Sequence, residues 1–177
     1  MTSIRDAELR LAAGLARWKT SRTYKTSRVA SASIELRDAI AVAVLVRREI
    51  EPDAEYLDLK GECGRAAVTI AIRLLDPDAL RMGYFLDGVG GRRAKEVLAW
   101  KARHPSDHAW CVVDDHIVDA TATQFGDYPA IYVRPIAQAA QYVEIHRGVA
   151  AAEQMRTWDY HGWPRKLARL RALDVSP

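Results

Sequence analysis

The sequence of 177 residues has only two cysteines, Cys63 and Cys111, which excludes a fold held together by a disulfide framework. Its apolar runs are also too short to span a membrane. The N-terminal residues carry charges of both signs and lack the apolar stretch of a secretory signal. We therefore expect a cytoplasmic protein without a membrane partner, in which a bridge between the two cysteines is disfavoured.

The chain also lacks a strong excess of charge of either sign. Its formal net charge is +3, and its basic residues are scattered, with local density at 19–28 and 165–171. Such a mild surplus is typical of a solvated surface rather than of a nucleic-acid interface. The sequence therefore predicts no nucleic-acid partner, and it leaves the oligomeric state and the role of segment 19–28 open.

Patterns that bind metals or phosphate groups are missing as well. No C-x-x-C pair occurs and no predicted helix carries two histidines four residues apart, so a zinc site is not expected. The glycines at 88–91 are not followed by the Lys-Ser/Thr pair of a phosphate loop, and no G-x-S-x-G motif is present. We expect neither a metal nor a cofactor.

What the chain does contain is enough apolar sequence, 49% of all residues, for one domain with its own core. Periodicity and turn residues predict four short strands, at 81–86, 109–113, 116–119 and 131–133. They predict helices at about 4–18, 33–48, 63–75, 92–103, 149–158 and 165–173. The β-branched middle of the second helix, residues 39–46, makes a strand the competing interpretation there.

The helix predicted to begin at Cys63 places a thiol at its first turn. The apolar positions 66, 67, 70, 71 and 74 share one helical face with Cys63. Unpaired N–H groups and the helix dipole favour a thiolate at this end, and Gly61 and Gly64 allow a close approach of a substrate. Cys63 is thus a candidate nucleophile, although a small buried cysteine that only packs is the common alternative.

A hairpin is predicted for residues 108–121. Asp114 and Asp115 form its turn, although they lack the glycine that favours primed turns. Pairing outward from this turn places Trp110 opposite Asp119. A slip of one residue would reverse every side chain, so the pairing can be tested.

The alternation of side chains gives this hairpin two different faces. One face is predicted to carry His108, Trp110, Asp119 and Thr121. The other is predicted to carry Cys111, Val113 and His116. Asp119 becomes the diagonal neighbour of His108, where a carboxylate can orient an imidazole. Taken singly, His108 fits an exposed strand-edge histidine and Asp119 the start of a turn, so the joint occurrence with Cys63 carries the prediction.

At these residues the sequence resembles the transglutaminase-like superfamily of papain-like thiol enzymes. The matching segments are Gly61-Glu62-Cys63, His108-Ala109-Trp110 and Ile117-Val118-Asp119-Ala120-Thr121. The following Gln124-Phe125 is similar to the ending seen in small bacterial members. The resemblance covers about residues 61–125, roughly the middle third of the chain.

The resemblance implies an α+β fold, in which a Cys-bearing helix packs on an antiparallel sheet that carries His and Asp. On this view residues 1–177 form one domain, with a catalytic core at about 55–135 and helical flanks at 1–50 and 136–177. It also implies that Cys63 is the nucleophile, His108 the base and Asp119 the orienting residue.

The implied activity is that of a cysteine hydrolase, a peptidase or deamidase, which opens an amide bond of a peptide or protein through a thioester. An acyltransferase and a non-catalytic binding module that retains the fold are the alternatives. The chain lacks the calcium-binding and accessory domains of animal transglutaminases, which speaks against protein cross-linking.

The oxyanion donors are where the chain departs from a papain-like pattern, because no glutamine precedes Cys63. The candidates are the Cys63 backbone N–H, the Trp110 indole and Tyr56. Gly64 and Tyr84 are further candidates for contacts with substrate, although packing in the core explains Tyr84 equally well.

Overall fold

The computed structural model describes residues 32–51, 59, 61–86, 107–158 and 163–174. In these segments the chain forms a mixed α+β structure with four helices and a five-stranded antiparallel sheet. The helices are α1 (Ile34–Ile50), α2 (Cys63–Leu74), α3 (Gly148–Gln154) and α4 (Trp163–Asp174). The strands are β1 (Leu80–Phe85), β2 (Asp107–Val113), β3 (His116–Asp119), β4 (Tyr132–Pro135) and β5 (Tyr142–Arg147).

The strand order in the sheet is β4-β3-β2-β1-β5. Among the helices that the structure describes, none is long and apolar enough to cross a lipid bilayer. The helices predicted at 4–18 and 92–103, the basic segment 19–28 and the glycines at 88–91 lie outside the described residues.

Helix α1 confirms the helix predicted at 33–48, for which a strand at 39–46 was the alternative. Ser33 caps it by accepting a hydrogen bond from the Leu36 N–H at 3.0 Å. The cap and the length of 17 residues outweigh the β-branched side chains of the middle, which are accommodated as part of a buried face.

Helix α2 begins at Cys63, as predicted, and ends where Leu75 adopts a left-handed conformation with φ of 57°. Its apolar stripe is buried against the sheet and the other helices. The Cys111 Sγ of β2 donates a hydrogen bond to the Ala67 carbonyl at 3.3 Å, which fixes α2 on that face of the sheet. Cys111 is therefore a packing residue, and both cysteines are free thiols.

The hairpin of β2 and β3 has the predicted register, in which Val113 pairs with His116 and Cys111 with Val118. Asp114 and Asp115 form the turn with φ of 49° and 56°. Two consecutive left-handed residues match the twist of a hairpin, and aspartate tolerates this conformation better than most residues. The turn therefore forms without glycine.

The sheet separates two apolar clusters of different character. The helices cover one face, to which Ala109, Cys111 and Val118 contribute. The other face carries a cluster rich in aromatic rings, which includes Phe85, Trp110, Tyr132 and Tyr142 and has Phe125 and Tyr128 packed against it. The strand alternation places His108 and Asp119 on this aromatic face.

The prediction that the flank 136–177 is helical is wrong for residues 142–147. These residues form β5, which pairs with β1 and extends the sheet beyond the expected core of 55–135. The segment contains Tyr142, Val143 and Ile145, which are residue types that favour strands. It lies at the edge of the sheet, with β1 as its neighbour. The helices α3 and α4 confirm the helices predicted at about 149–158 and 165–173, the first of which ends as the 3-10 helix Met155–Trp158.

Gly83 is required where β5 approaches β1. The register between the two strands shifts at Met82 and Gly83, and a Cβ added to Gly83 would lie 1.9 Å from the Val143 carbonyl oxygen. Gly83 is also the residue that pairs with His108 in β2. A side chain at this position would therefore force apart the strands beside the imidazole.

We expect Gly83→Ala to lower the free energy of unfolding by more than about 3 kcal/mol, because the obstructing atom belongs to the backbone and relief requires the β1–β5 pairing to open. Urea unfolding followed by circular dichroism measures this loss. Gly61→Ala is the control, since its Cβ would meet nothing within 4 Å and the φ of +87° should cost only about 1–2 kcal/mol. Equal losses in the two variants would contradict the steric explanation.

Candidate functional site

His108 and Asp119 form a buried pair across the hairpin. The His108 Nε2 lies 2.7 Å from the Asp119 Oδ2, and the two side chains are 0% and 1% exposed. The pair joins the first residues of β2 to the last residue of β3, as the diagonal pairing predicts. The sequence prediction that these two side chains meet is therefore supported by a direct contact.

Three further hydrogen bonds hold the Asp119 carboxylate. The Thr121 N–H and hydroxyl donate to Oδ1 at 2.7 and 2.9 Å, and the Tyr142 hydroxyl donates to Oδ2 at 2.8 Å. Burial alone would raise the pKa of Asp119, but the charge of His108 and these donors outweigh it and hold the pKa below its ordinary value. Asp119 is thus a fixed negative charge inside the protein.

His108 responds to that charge. Burial alone would lower the pKa of His108, but the charge of Asp119 and its hydrogen bond, followed by a hydrogen bond and charge interaction with Cys63, raise the pKa to about 9. The imidazole is therefore protonated at neutral pH. The interaction with Cys63 also means that the thiol and the imidazole are neighbours.

Cys63 reaches His108 from the other layer of the fold. It is the first residue of α2 and is 4% exposed. The Ala66 N–H makes a bond of 2.9 Å to the Glu62 carbonyl, so the N–H of Cys63 lies before the hydrogen-bonded part of the helix. Because Asp119 is bonded to Nε2 of His108, Nδ1 is the ring nitrogen that Asp119 does not engage.

Aromatic rings enclose the imidazole. Phe85 and Phe125 meet it edge to face, with ring centroids 5.8 and 4.8 Å away, and Trp110 stacks with it at 5.9 Å. Phe85 and Phe125 themselves stack at 4.0 Å. These contacts fix the plane of the ring and remove water from it, which strengthens its interaction with Asp119.

Arg47 of α1 anchors the turn that follows Asp119. Its guanidinium is buried, and Nη1 donates to the Ala120 carbonyl at 2.7 Å and to the Thr123 hydroxyl at 2.9 Å, while Nε pairs with Glu51 at 2.8 Å. Arg47 was not among the residues predicted from the sequence. Its position could have indicated a role, because Arg47 lies four residues after Ala43 and therefore on the buried face of α1. An arginine that is buried in this way needs hydrogen-bond partners inside the protein.

The tentative contact residues have different positions. Trp110 lies beside His108 on the aromatic face, and Gly64 is buried as the second residue of α2. Tyr84 is half-buried and points to the opposite face of the sheet, because its neighbour Gly83 pairs with His108. Tyr56 lies outside the described residues.

Two further residues of the site were not anticipated. Tyr142 belongs to β5, a strand that was not predicted from the sequence, so its position on the aromatic face could not be predicted either. Gln124, noted only as part of a resemblance, places its side-chain Nε2 at 3.4 Å from the His108 Nδ1.

The chain matches no known family model, no curated protein sequence and no solved structure. Within the described segments, no group of three or more His, Cys, Asp or Glu residues is arranged to hold a metal ion. The chemistry of the site therefore has to be inferred from its own geometry. Asp119 is bonded to the imidazole of His108 and Cys63 interacts with the same ring, which is the order of groups that a thiol nucleophile requires.

We expect Asp119→Asn to lower the pKa of His108 from about 9 toward its ordinary value of 6.5 or below. The reason is that burial lowers this pKa, and the negative charge that offsets the effect of burial is removed. Titration of the imidazole signals by NMR, in the variant and in the wild type, measures this change. A pKa of His108 that stays near 9 in this variant would show that Asp119 is not the source of the shift.

Proposed function

We propose that this protein is a cysteine-dependent hydrolase that opens an amide bond of a peptide or protein, as a peptidase or a deamidase. The observation that carries the proposal is the buried His108–Asp119 pair, with Cys63 close enough to the same imidazole to influence its pKa. Titratable groups that are shifted by specific partners are concentrated at functional sites, and this combination suits a thiol nucleophile.

In the first half of the proposed reaction, the Cys63 thiolate attacks the amide carbon, and the electron pair of the C=O bond moves to the oxygen. When the intermediate collapses, the C–N bond breaks and the His108 imidazolium gives its proton to the leaving nitrogen. The products are a thioester on Cys63 and a free amine, or ammonia when the substrate is a side-chain amide.

In the second half, neutral His108 takes a proton from a water molecule, whose oxygen attacks the thioester carbon. The C–S bond then breaks, and the products are a carboxylic acid and the Cys63 thiolate beside a protonated His108. Asp119 keeps its charge throughout and stabilises the imidazolium in each half.

The arrangement also supports assignment of the chain to the transglutaminase-like superfamily, with a papain-like core, as part of the same proposal. Its supports are the thiol at the first residue of α2, the packing of α2 on an antiparallel sheet, and the location of the imidazole and carboxylate on adjacent strands. Fold similarity alone does not fix activity, so the reaction has to be tested on the site itself.

The first test compares the two thiols by labelling with iodoacetamide near pH 7. We expect Cys63 to be labelled much faster than Cys111, because Cys63 has an imidazolium partner, whereas burial raises the pKa of Cys111. Mass spectrometry of the digested protein gives both rates. Cys63→Ala should abolish the fast labelling, and Cys111→Ala is the matched control that should retain it.

Equal and slow labelling of both cysteines would contradict an activated nucleophile and would favour a binding module that retains the fold. His108→Ala should slow the labelling of Cys63 as well, since the thiolate then loses its charged partner.

The second test identifies the acyl acceptor with a peptide library analysed by mass spectrometry. We expect cleaved or deamidated peptides that depend on Cys63, with the same products when a primary amine is added. Conversion of the products into amine adducts would assign the chain to acyl transfer instead. Cys63→Ala is the control for hydrolysis that does not come from this site.

A further inference from the structure

The Gln124 side chain has no role in the reaction as described, yet it contacts the central residue of the site. Its Nε2 lies 3.4 Å from the His108 Nδ1, which is the ring nitrogen not engaged by Asp119. Cys63 interacts with the same imidazole. The amide of Gln124 and the thiol of Cys63 are therefore both neighbours of one ring, beside which the carbonyl group of a substrate of Cys63 has to bind.

Among the residues that the structure describes, His108 is the one hydrogen-bonding neighbour of this amide. A primary amide has two N–H donors, and a separation of 3.4 Å is at the long end for a hydrogen bond. When His108 is protonated, as it is at neutral pH, its Nδ1 carries a hydrogen and offers no lone pair to Gln124. The state of His108 that accompanies a thiolate thus leaves the amide available for another acceptor.

Gln124 is also held in place before any substrate binds. It lies in the short 3-10 helix Ala122–Phe125, where its backbone N–H donates to the Thr121 carbonyl at 3.1 Å. Arg47 fixes the start of this turn, and Phe125 is stacked on Phe85 at its end. Donors that are fixed in advance stabilise a developing charge most effectively.

We propose that Gln124 is a catalytic residue whose side-chain amide, together with the backbone N–H of Cys63, binds the oxyanion of the tetrahedral intermediate. This inference rests on the proposed function. As the S–C bond forms, the electron pair of the carbonyl moves to its oxygen, and the Gln124 N–H, for which the protonated ring is no acceptor, donates to that oxygen. Gln124 would thus supply the side-chain oxyanion donor that is missing because no glutamine precedes Cys63.

The test uses two reactions of the same thiol, one with an oxyanion and one without. Acylation of Cys63 by p-nitrophenyl acetate passes through a tetrahedral oxyanion, whereas alkylation by iodoacetamide is a displacement at carbon that forms none. In Gln124→Met we expect acylation to slow by about 10²–10³-fold, the usual effect of removing one oxyanion donor. Alkylation should change by no more than about threefold.

Gln124→Glu is the second variant, because it preserves the shape but replaces the donor with a negative acceptor, so acylation should slow at least as much. Gln138→Met, at an exposed position of another 3-10 helix, is the matched control and should leave both rates unchanged. The urea midpoint of each variant verifies that the fold is intact.

Acylation within about threefold of the wild type in Gln124→Met would overturn the assignment of the oxyanion donor. A parallel loss of acylation and alkylation would overturn it too, since Gln124 would then be a positioning residue for His108. Failure of the proposed function itself is distinguishable, because then the wild-type protein would form no acetylated Cys63 at all.

Discussion

The structure around the hairpin depends on one requirement, which is that the buried carboxylate of Asp119 must have hydrogen-bond donors for both of its oxygens. An ionised Asp119 without partners would cost several kcal/mol, so every element near it has to present a donor. His108 comes from β2, Thr121 from the turn after β3 and Tyr142 from β5. One carboxylate thereby connects three parts of the sheet, including the edge strand.

Tyr142 of β5 reaches Asp119 of β3 across β1 and β2, and Gly83 of β1 allows β5 to approach closely. Gly83 pairs with His108 in β2 and faces the same side of the sheet, where it contributes no side chain. The ring of Tyr142 lies 5.0 Å from Phe85 and 5.1 Å from Trp110 on this face. Gly83 therefore permits the close approach of the strand that supplies the Tyr142 hydroxyl to Asp119.

A buried ion pair is a poor source of stability, because the loss of hydration offsets most of the attraction between the charges. Apolar residues in its place would stabilise the hairpin at least as well. The value of the His108–Asp119 pair is therefore better sought in the protonation state of the imidazole, which the low-dielectric surroundings and aromatic rings make strongly dependent on the carboxylate. A chemical role for the pair is therefore favoured over a purely structural one.

The sequence predicts the parts of the site that depend on local periodicity. The start of α2 at Cys63 follows from an apolar stripe, and the contact of His108 with Asp119 follows from counting outward from a two-residue turn. Arg47 and Tyr142 could not be predicted in this way, because their partners are distant in the chain and meet them only through packing. The strand β5 was missed for the same reason, since its partner β1 is far away in sequence and its own alternation is short.

The two halves of the proposed site belong to different layers of the fold. His108 and Asp119 are fixed to each other within one hairpin, whereas Cys63 is carried by a helix on the opposite face of the sheet. The contact between Ala67 and Cys111 sets the position of that helix, and Arg47 connects the helical layer to the turn with Gln124. The distance from the thiol to the imidazole is therefore set by the packing between the layers. The distance from the imidazole to the carboxylate is set within the hairpin. Thiol reactivity and the integrity of the pair are separable properties, because a repacked helix interface changes the first without touching the second.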